Sequence, residues 1–285
     1  MRVGAVLIAS VLGLTVGIGE DAFPVPAIYA KAAIVVDSAN GTILYEKHAD
    51  NKRPVASTQK LLTALVVSQA GELDKKIKVE STDTRVEPSK VGIRTGREYP
   101  RLLLLQSLLV KSGNDVARCL ARDHSGGQDA FRPALNAKAR QLGMGDSRFV
   151  NAHGLTEEGQ ESTARDMAKL AVVAHCDEHI RDAVQRESLE FPKKGRMDML
   201  RNTNQILPLS FVTGMKTGFT NAAGRCLVSS GEFNGRDVIA VVLGSNEKHV
   251  WQDSESLLRW ALKVPADIGA PPEEEESEDA AADAS

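Results

Sequence analysis

The chain reads as an α/β (α+β) protein, with an antiparallel sheet built from both termini, flanked by helices, and a helical subdomain inserted between the two halves. Two observations predict this. Runs with strand character and hairpin turns sit near both ends of the chain, and segments of helical period fill the middle. At 285 residues and 42% apolar content, the chain can bury one large core or two modest ones.

In order, "AAIVVD" and "TILYEK" are β-rich runs around Ser38-Ala39-Asn40-Gly41, which is hairpin chemistry. "KLLTALVVSQAG" has helical periodicity and ends on Gly71, a C-terminal cap. "YPRLLLLQSLLVKSGNDVARCLARDHSGG" predicts two helices broken at Ser112-Gly113-Asn114. "AFRPALNAKARQLGM" and "TARDMAKLAVVAHCDEHIRDAVQ" predict two more. "RCLVSSGEFNGRDVIAVVLGS" is a second hairpin turning at Asn234-Gly235, and "SESLLRWALKV" closes the ordered part as a helix. The helical insertion spans roughly residues 70–200 of a catalytic unit at 24–264, and no internal repeat is visible.

The ends differ from the middle. Residues 1–22 open with one arginine and an apolar run broken by Gly and Ser, a secretory signal or an uncleaved N-terminal anchor. This predicts export to the periplasm or extracytoplasmic cell envelope, with membrane attachment only through that segment. Residues 265–285 are acidic and low in complexity, which predicts a disordered tail with no amphipathic stripe. A formal charge of −3 offers no strong positive field, so nucleic acid is not an expected partner. Cys119, Cys176 and Cys226 match no metal or redox spacing and are expected to pack as small hydrophobes.

Three short motifs carry chemistry. In "PVASTQKLLTAL", Ser57 and Lys60 are three apart, which puts them on one face near a helix start. A hydroxyl nucleophile could thus be given a base without a histidine. Lys60 is followed by Leu61, Leu62, Ala64, Leu65, Val66 and Val67, so the helix is apolar nearly all round, and a lysine buried there needs a partner or a reason. The break at Ser112-Gly113-Asn114 can aim two polar side chains into a cleft. In Lys216-Thr217-Gly218 a cation is followed by a hydroxyl and by a glycine that lets another backbone come close. Each motif alone is weak; their joint appearance in this order is specific.

The set resembles the S-x-x-K, S-x-N and K-T-G triplet of the penicillin-binding proteins and serine β-lactamases. More closely, "LLVKSGNDVARCLA", "FVNAHGL", "TARDMAKLA" and "GMKTGFTNAAGRCLV" are similar to the low-molecular-mass D-alanyl-D-alanine carboxypeptidases, from about Ala27 to about Leu262. The resemblance implies the DD-peptidase/β-lactamase-like fold, a substrate that is a peptidoglycan stem peptide ending in D-Ala-D-Ala, and β-lactam antibiotics as covalent inhibitors. It implies Ser57 as the acylated nucleophile, Lys60 as its base and Ser112 as proton relay, with no cofactor or metal. Asn114, Lys216, Thr217, Gly218, Phe219 and His153 would contact substrate. Lys216 and Thr217 would hold the terminal carboxylate, and the Ser57 and Phe219 N–H groups would form the oxyanion site. Lys60 must be neutral to act, so burial and the nearby Lys216 charge are expected to depress its pKa.

Other readings compete. Trimming of a terminal D-Ala is expected ahead of D,D-endopeptidase cleavage of cross-links, because the middle motif reads "SGN". Serine β-lactamase activity lacks a glutamate in the deacylating context; Glu157 and Glu158 follow the His153 loop without it. "HCDEH" fits H-x-x-E-H, which would make a zinc peptidase on His175 and His179. A catalytically idle wall-binding module would have no use for a buried base. Finally, many of these carboxypeptidases carry a carboxylate-binding arginine before the last helix. Here Gln252 stands nearest to it, with Lys248 as the expected substitute. The C-terminal β-rich domain of many relatives is not expected beyond about Lys263.

Overall fold

The computed structural model describes residues 23–86 and 88–269. The expected signal or anchor at 1–22 and the acidic run from 270 onward therefore lie outside the described residues. Strands β1 (Ala32–Asp37) and β2 (Ile43–Lys47) form the first hairpin, which turns through Gly41 at φ +73°. The next elements are helix α1 (Lys60–Gln69), β3 (Lys76–Lys78), the one-turn α2 (Ser81–Thr84) and β4 (Glu98–Pro100). Helices α3 (Arg101–Lys111), α4 (Asn114–Ser125), α5 (Gln128–Gln141), α6 (Ala164–Cys176) and α7 (Glu178–Val184) follow. Then come β5 (Ser188–Lys193), β6 (Arg196–Arg201), β7 (Val212–Thr220), β8 (Gly224–Phe233), β9 (Arg236–Ser245) and α8 (His249–Leu262).

The main sheet runs β2-β1-β9-β8-β7 with every pairing antiparallel, so both ends of the chain build it, as the sequence predicts. Strand periodicity divides its side chains between two cores. Ile34, Val36, Ile239 and Val241 join the core around α1 and the helical part. Ala33, Val35, Ala240 and Val242 pack against Leu257, Leu258 and Leu262 of α8. Helix α1 is buried from Lys60 through Ser68, between the sheet and the inserted helices.

Four expectations need correction. The segment 164–184 is two helices, because Asp177 leaves the helical conformation and its carboxylate accepts the His179 and Ile180 N–H groups to start α7. The insertion is not purely helical; it holds the ribbons β3–β4 and β5–β6. Cys176 is exposed, whereas Cys119 and Cys226 are buried as expected. The tail does not begin at 265: Arg259 donates to the Pro265 and Ile268 carbonyls, and Ile268 packs on the α8 core.

Candidate active site

A single 3-10 turn, Ala56–Gln59, leads into α1 and carries Ser57 at its mouth. Two segments press on this turn. Gly154 backs onto the Ala56 carbonyl, which a side chain at that position would strike. Gly218 of β7 lies so close that a Cβ there would sit 2.9 Å from both the Ser57 and Thr58 nitrogens. Strand β7 is the edge of the main sheet, so the segment Lys216-Thr217-Gly218-Phe219 runs beside the Ser57 turn at the open border.

Lys60 is fully buried. Its Nζ lies 2.7 Å from Ser57 Oγ and donates to Asn114 Oδ1 at 2.8 Å and to the His153 carbonyl at 2.6 Å. A neutral amine has two N–H bonds and one lone pair. The amide oxygen and the carbonyl take the two donors, which leaves the lone pair for the Ser57 hydroxyl. Burial drives the Lys60 pKa well below its ordinary value, the Lys216 charge adds to this, and Asp115 opposes it. Lys216 is itself buried, which lowers its pKa to about 7, and its Nζ donates to the Thr217 carbonyl at 3.1 Å.

The middle motif turns where the sequence predicts. Ser112 ends α3 in the left-handed conformation, at φ +65°, and α4 starts at Asn114. Asp115 fixes the facing loop by accepting from the Val91, Gly92 and Ile93 N–H groups, while the Asn114 amide group donates to the Pro88 carbonyl. Sequence reasoning missed Asp115. Its place directly after the motif, at the start of an amphipathic helix, was the available signal.

A cavity of about 670 Å³ opens over these groups. Ser57, Ser112, Asn114, Thr217, Gly218 and Phe219 line it, so six of the nine predicted residues meet on one surface. Lys60, His153 and Lys216 stand behind its wall. The His153 imidazole is buried, its Nδ1 accepting from the Leu155 N–H at 3.3 Å, and burial followed by the Lys60 and Arg118 charges lowers its pKa to about 3. The backbone carbonyl of His153, rather than its ring, faces the lysine. Neither Lys248 nor Gln252 lines the cavity, which corrects the expected substitute for the missing arginine.

The two rival sites come apart. The break at Asp177 separates His175 from His179, and His175 Nε2 instead meets Asp237 Oδ2 at 2.7 Å. Among the described residues, no group of three His, Cys, Asp or Glu side chains could hold a metal. Glu157 accepts from Asn151 Nδ2 at 3.0 Å within its own loop, and neither it nor Glu158 lines the cavity.

Fold and site together define a serine-type peptidase of the penicillin-binding class. A solved D-alanyl-D-alanine carboxypeptidase from Mycobacterium tuberculosis superposes with a TM-score of 0.81 at 29% identity, covering 88% of this chain and 97% of that one. The model of the S11 peptidases, the D-alanyl-D-alanine carboxypeptidases, matches residues 20–247, and the chain belongs to that family. Among relatives, it is 36% identical to a D-alanyl-D-alanine endopeptidase of Escherichia coli, over 85% of this chain and 81% of that protein. It is 33% identical to the carboxypeptidase DacC of the same organism, over 86% of this chain and 64% of that longer protein. Among the described residues, no helix is long and apolar enough to cross a membrane.

Proposed function

We propose that the chain trims the terminal D-Ala from peptidoglycan stem peptides through an acyl-enzyme on Ser57, within a catalytic unit at 24–264. Lys60 Nζ takes the Ser57 proton as Oγ attacks the carbonyl of the penultimate D-Ala. The N–H groups of Ser57 and Phe219 stabilise the oxyanion, a donor of this kind being worth about 3 kcal/mol. The proton passes through Ser112 to the leaving nitrogen, the C–N bond breaks, and D-alanine departs. Water then cleaves the ester and restores Ser57. Thr217 binds on the leaving-group side, and Asn114 orients both Lys60 and the substrate amide. β-Lactams, which present a ring-strained amide to the same hydroxyl, acylate Ser57.

One observation carries this reading: a fully buried lysine 2.7 Å from a serine hydroxyl, with neutral acceptors on its other two sides. The test is mass spectrometry after penicillin exposure. One penicilloyl adduct should map to Ser57 and vanish in Ser57→Ala; an adduct elsewhere overturns the assignment. A second reading, endopeptidase cleavage of cross-links, is favoured by the relative at 36% identity. Release of D-alanine from linear muropeptides, set against scission of cross-linked dimers, separates the two. Either activity requires the chain to reach the cell wall outside the cytoplasm, through the signal or anchor at residues 1–22.

A further inference from the structure

One wall of the cleft continues into a cationic surface. Pro88 and Ser89 line the cavity over Ser57, and the chain just beyond them carries Lys90, Arg94 and Arg97, all exposed. The turn of the β5–β6 ribbon adds Lys193, Lys194 and Arg196. Residues 89–98 and 192–198 hold these six Lys and Arg against two acids, Glu98 and Asp198, in a chain that has 35 against 38. Resting on the proposed function, we infer that this surface docks the polymeric substrate, holding carboxylates of stem peptides other than the one being cleaved.

Two contacts join the segments into one surface. A Cβ on Gly92 would sit 3.9 Å from Lys193 Nζ, and Gly96, Arg97 and Pro192 line a shared hollow. The Phe191 ring stacks on Tyr99 at 5.1 Å, which fixes the ribbon to β4. The loop is fixed to the catalytic wall in turn. Asp115 accepts from the Val91, Gly92 and Ile93 N–H groups, and the Ser89 carbonyl accepts from the Asn114 N–H at 2.7 Å. The backbone that bears the cations therefore keeps a set place relative to Asn114 and the cleft.

These charges are not spent within the fold. Among the described residues, no carboxylate pairs with Lys90, Arg94, Arg97 or Lys194, while Lys193 and Arg196 share Asp198 at 3.0 and 2.8 Å. Arg165 and Arg186, by contrast, each meet one carboxylate at two points. Like charges gathered without counter-ions raise a positive field at the cleft rim. The substrate carries the matching charge. Every untrimmed stem ends in a carboxylate, and stems repeat along a wall strand, so the neighbours of the stem over Ser57 bring carboxylates past the rim. An anionic bilayer fits less well, because it needs cationic and apolar side chains on one surface. Lys193 and Arg196 pair on one face of the ribbon; the exposed Met197 and Met199 stand on the other, where Met199 faces the exposed Glu190.

The experiment measures co-sedimentation of the full chain with isolated peptidoglycan sacculi, in a Ser57→Ala background so that no bond is cut. Lys90→Glu, Arg94→Glu and Lys194→Glu together should weaken binding about tenfold or more, and raising salt to about 0.5 M should weaken the unreversed protein similarly. Sacculi whose carboxylates have been converted to neutral amides should bind the unreversed protein no better than native sacculi bind the reversed variant. With Ser57 restored, the triple variant should hydrolyse a diacyl-L-Lys-D-Ala-D-Ala tripeptide within about twofold of wild type, which also shows that it folds. Sacculus binding unchanged by charge reversal or by amidation overturns the inference, as does capture by phosphatidylglycerol vesicles in place of sacculi. Those results leave the proposed function standing. Wild-type protein that neither hydrolyses the tripeptide nor forms the Ser57 adduct defeats the proposed function itself.

Discussion

One buried and one half-buried arginine in the helical part and two buried lysines in the cleft make opposite use of charge. Arg101, only 5% exposed, meets Asp123 through both Nε and Nη2, and Lys75 adds a second cation to the same carboxylate at 2.8 Å. Arg122 forks onto Asp83 in the same way, bridging α4 to α2. Each guanidinium has its carboxylate, and the pairs tie helix to helix. Lys60 and Lys216 are buried more completely, yet they meet a hydroxyl, an amide oxygen and backbone carbonyls. An ammonium without a counter-ion is costly to bury, so burial pushes both amines toward the neutral form, and the Lys216 charge pushes Lys60 further. The contrast separates the two uses: carboxylate-paired cations hold the fold, and amines among neutral acceptors are poised for chemistry.

The largest effect should follow removal of the nucleophile. Ser57→Ala should lower D-alanine release by roughly 10⁵-fold or more, the scale seen when a serine nucleophile is deleted, with a melting curve close to wild type. Exchanging the two classes of cation sharpens the contrast. Lys60→Met should cut penicillin acylation by about 10²–10⁴-fold, the range for a lost general base, with stability unchanged or raised. Arg101→Met should leave acylation near wild type and cost about 3 kcal/mol, because Asp123 stays buried with half its partners gone. Urea unfolding and stopped-flow acylation of both variants check this; Lys60→Met behaving as a purely structural loss would erase the distinction.

Gly218→Ala is next in size. The added methyl meets the Ser57 and Thr58 nitrogens at 2.9 Å, against backbone that cannot yield cheaply. A cost of about 1–3 kcal/mol is expected, together with slower acylation, since the same movement opens the oxyanion site. Lys216→Gln tests the electrostatic coupling. Acylation needs neutral Lys60, so its rate falls on acidification. Removing the Lys216 charge lets the Lys60 pKa rise, and the acid limb should move to higher pH. Stability gives an independent reading. Lys216 titrates near 7 when folded and near 10.5 when unfolded, so the unfolded chain binds more protons between those values. Stability should therefore rise with pH across that window, and Lys216→Gln should flatten the rise. At the small end, Cys176→Ser on the exposed face of α6 should change stability by no more than about 0.5 kcal/mol.

Much of this was legible in the sequence because it was local. Ser57 and Lys60 meet through helical spacing, Ser112-Gly113-Asn114 through a break between helices, and the hairpins through Asn-Gly turns at 40–41 and 234–235. What escaped depends on contacts between distant segments or on a single capping side chain. Periodicity carries smoothly through 164–184, and only the Asp177 carboxylate on two following amides breaks it. The side of the wall on which Lys216 and His153 would fall could not be read, because β7 and the 151–155 loop meet α1 only in the fold. The contact between Arg225 and Phe219 was hidden for the same reason: strand register, not spacing along the chain, brings the two together.

The central claim concerns a single proton. Titration of the Lys60 Nζ and Cε resonances by NMR, assigned through Lys60→Met, reads it directly. A free-amine signal already present at neutral pH is the predicted result, with protonation appearing only on acidification. An ammonium signal at Lys60 persisting to pH about 10, the ordinary lysine range, would contradict the account.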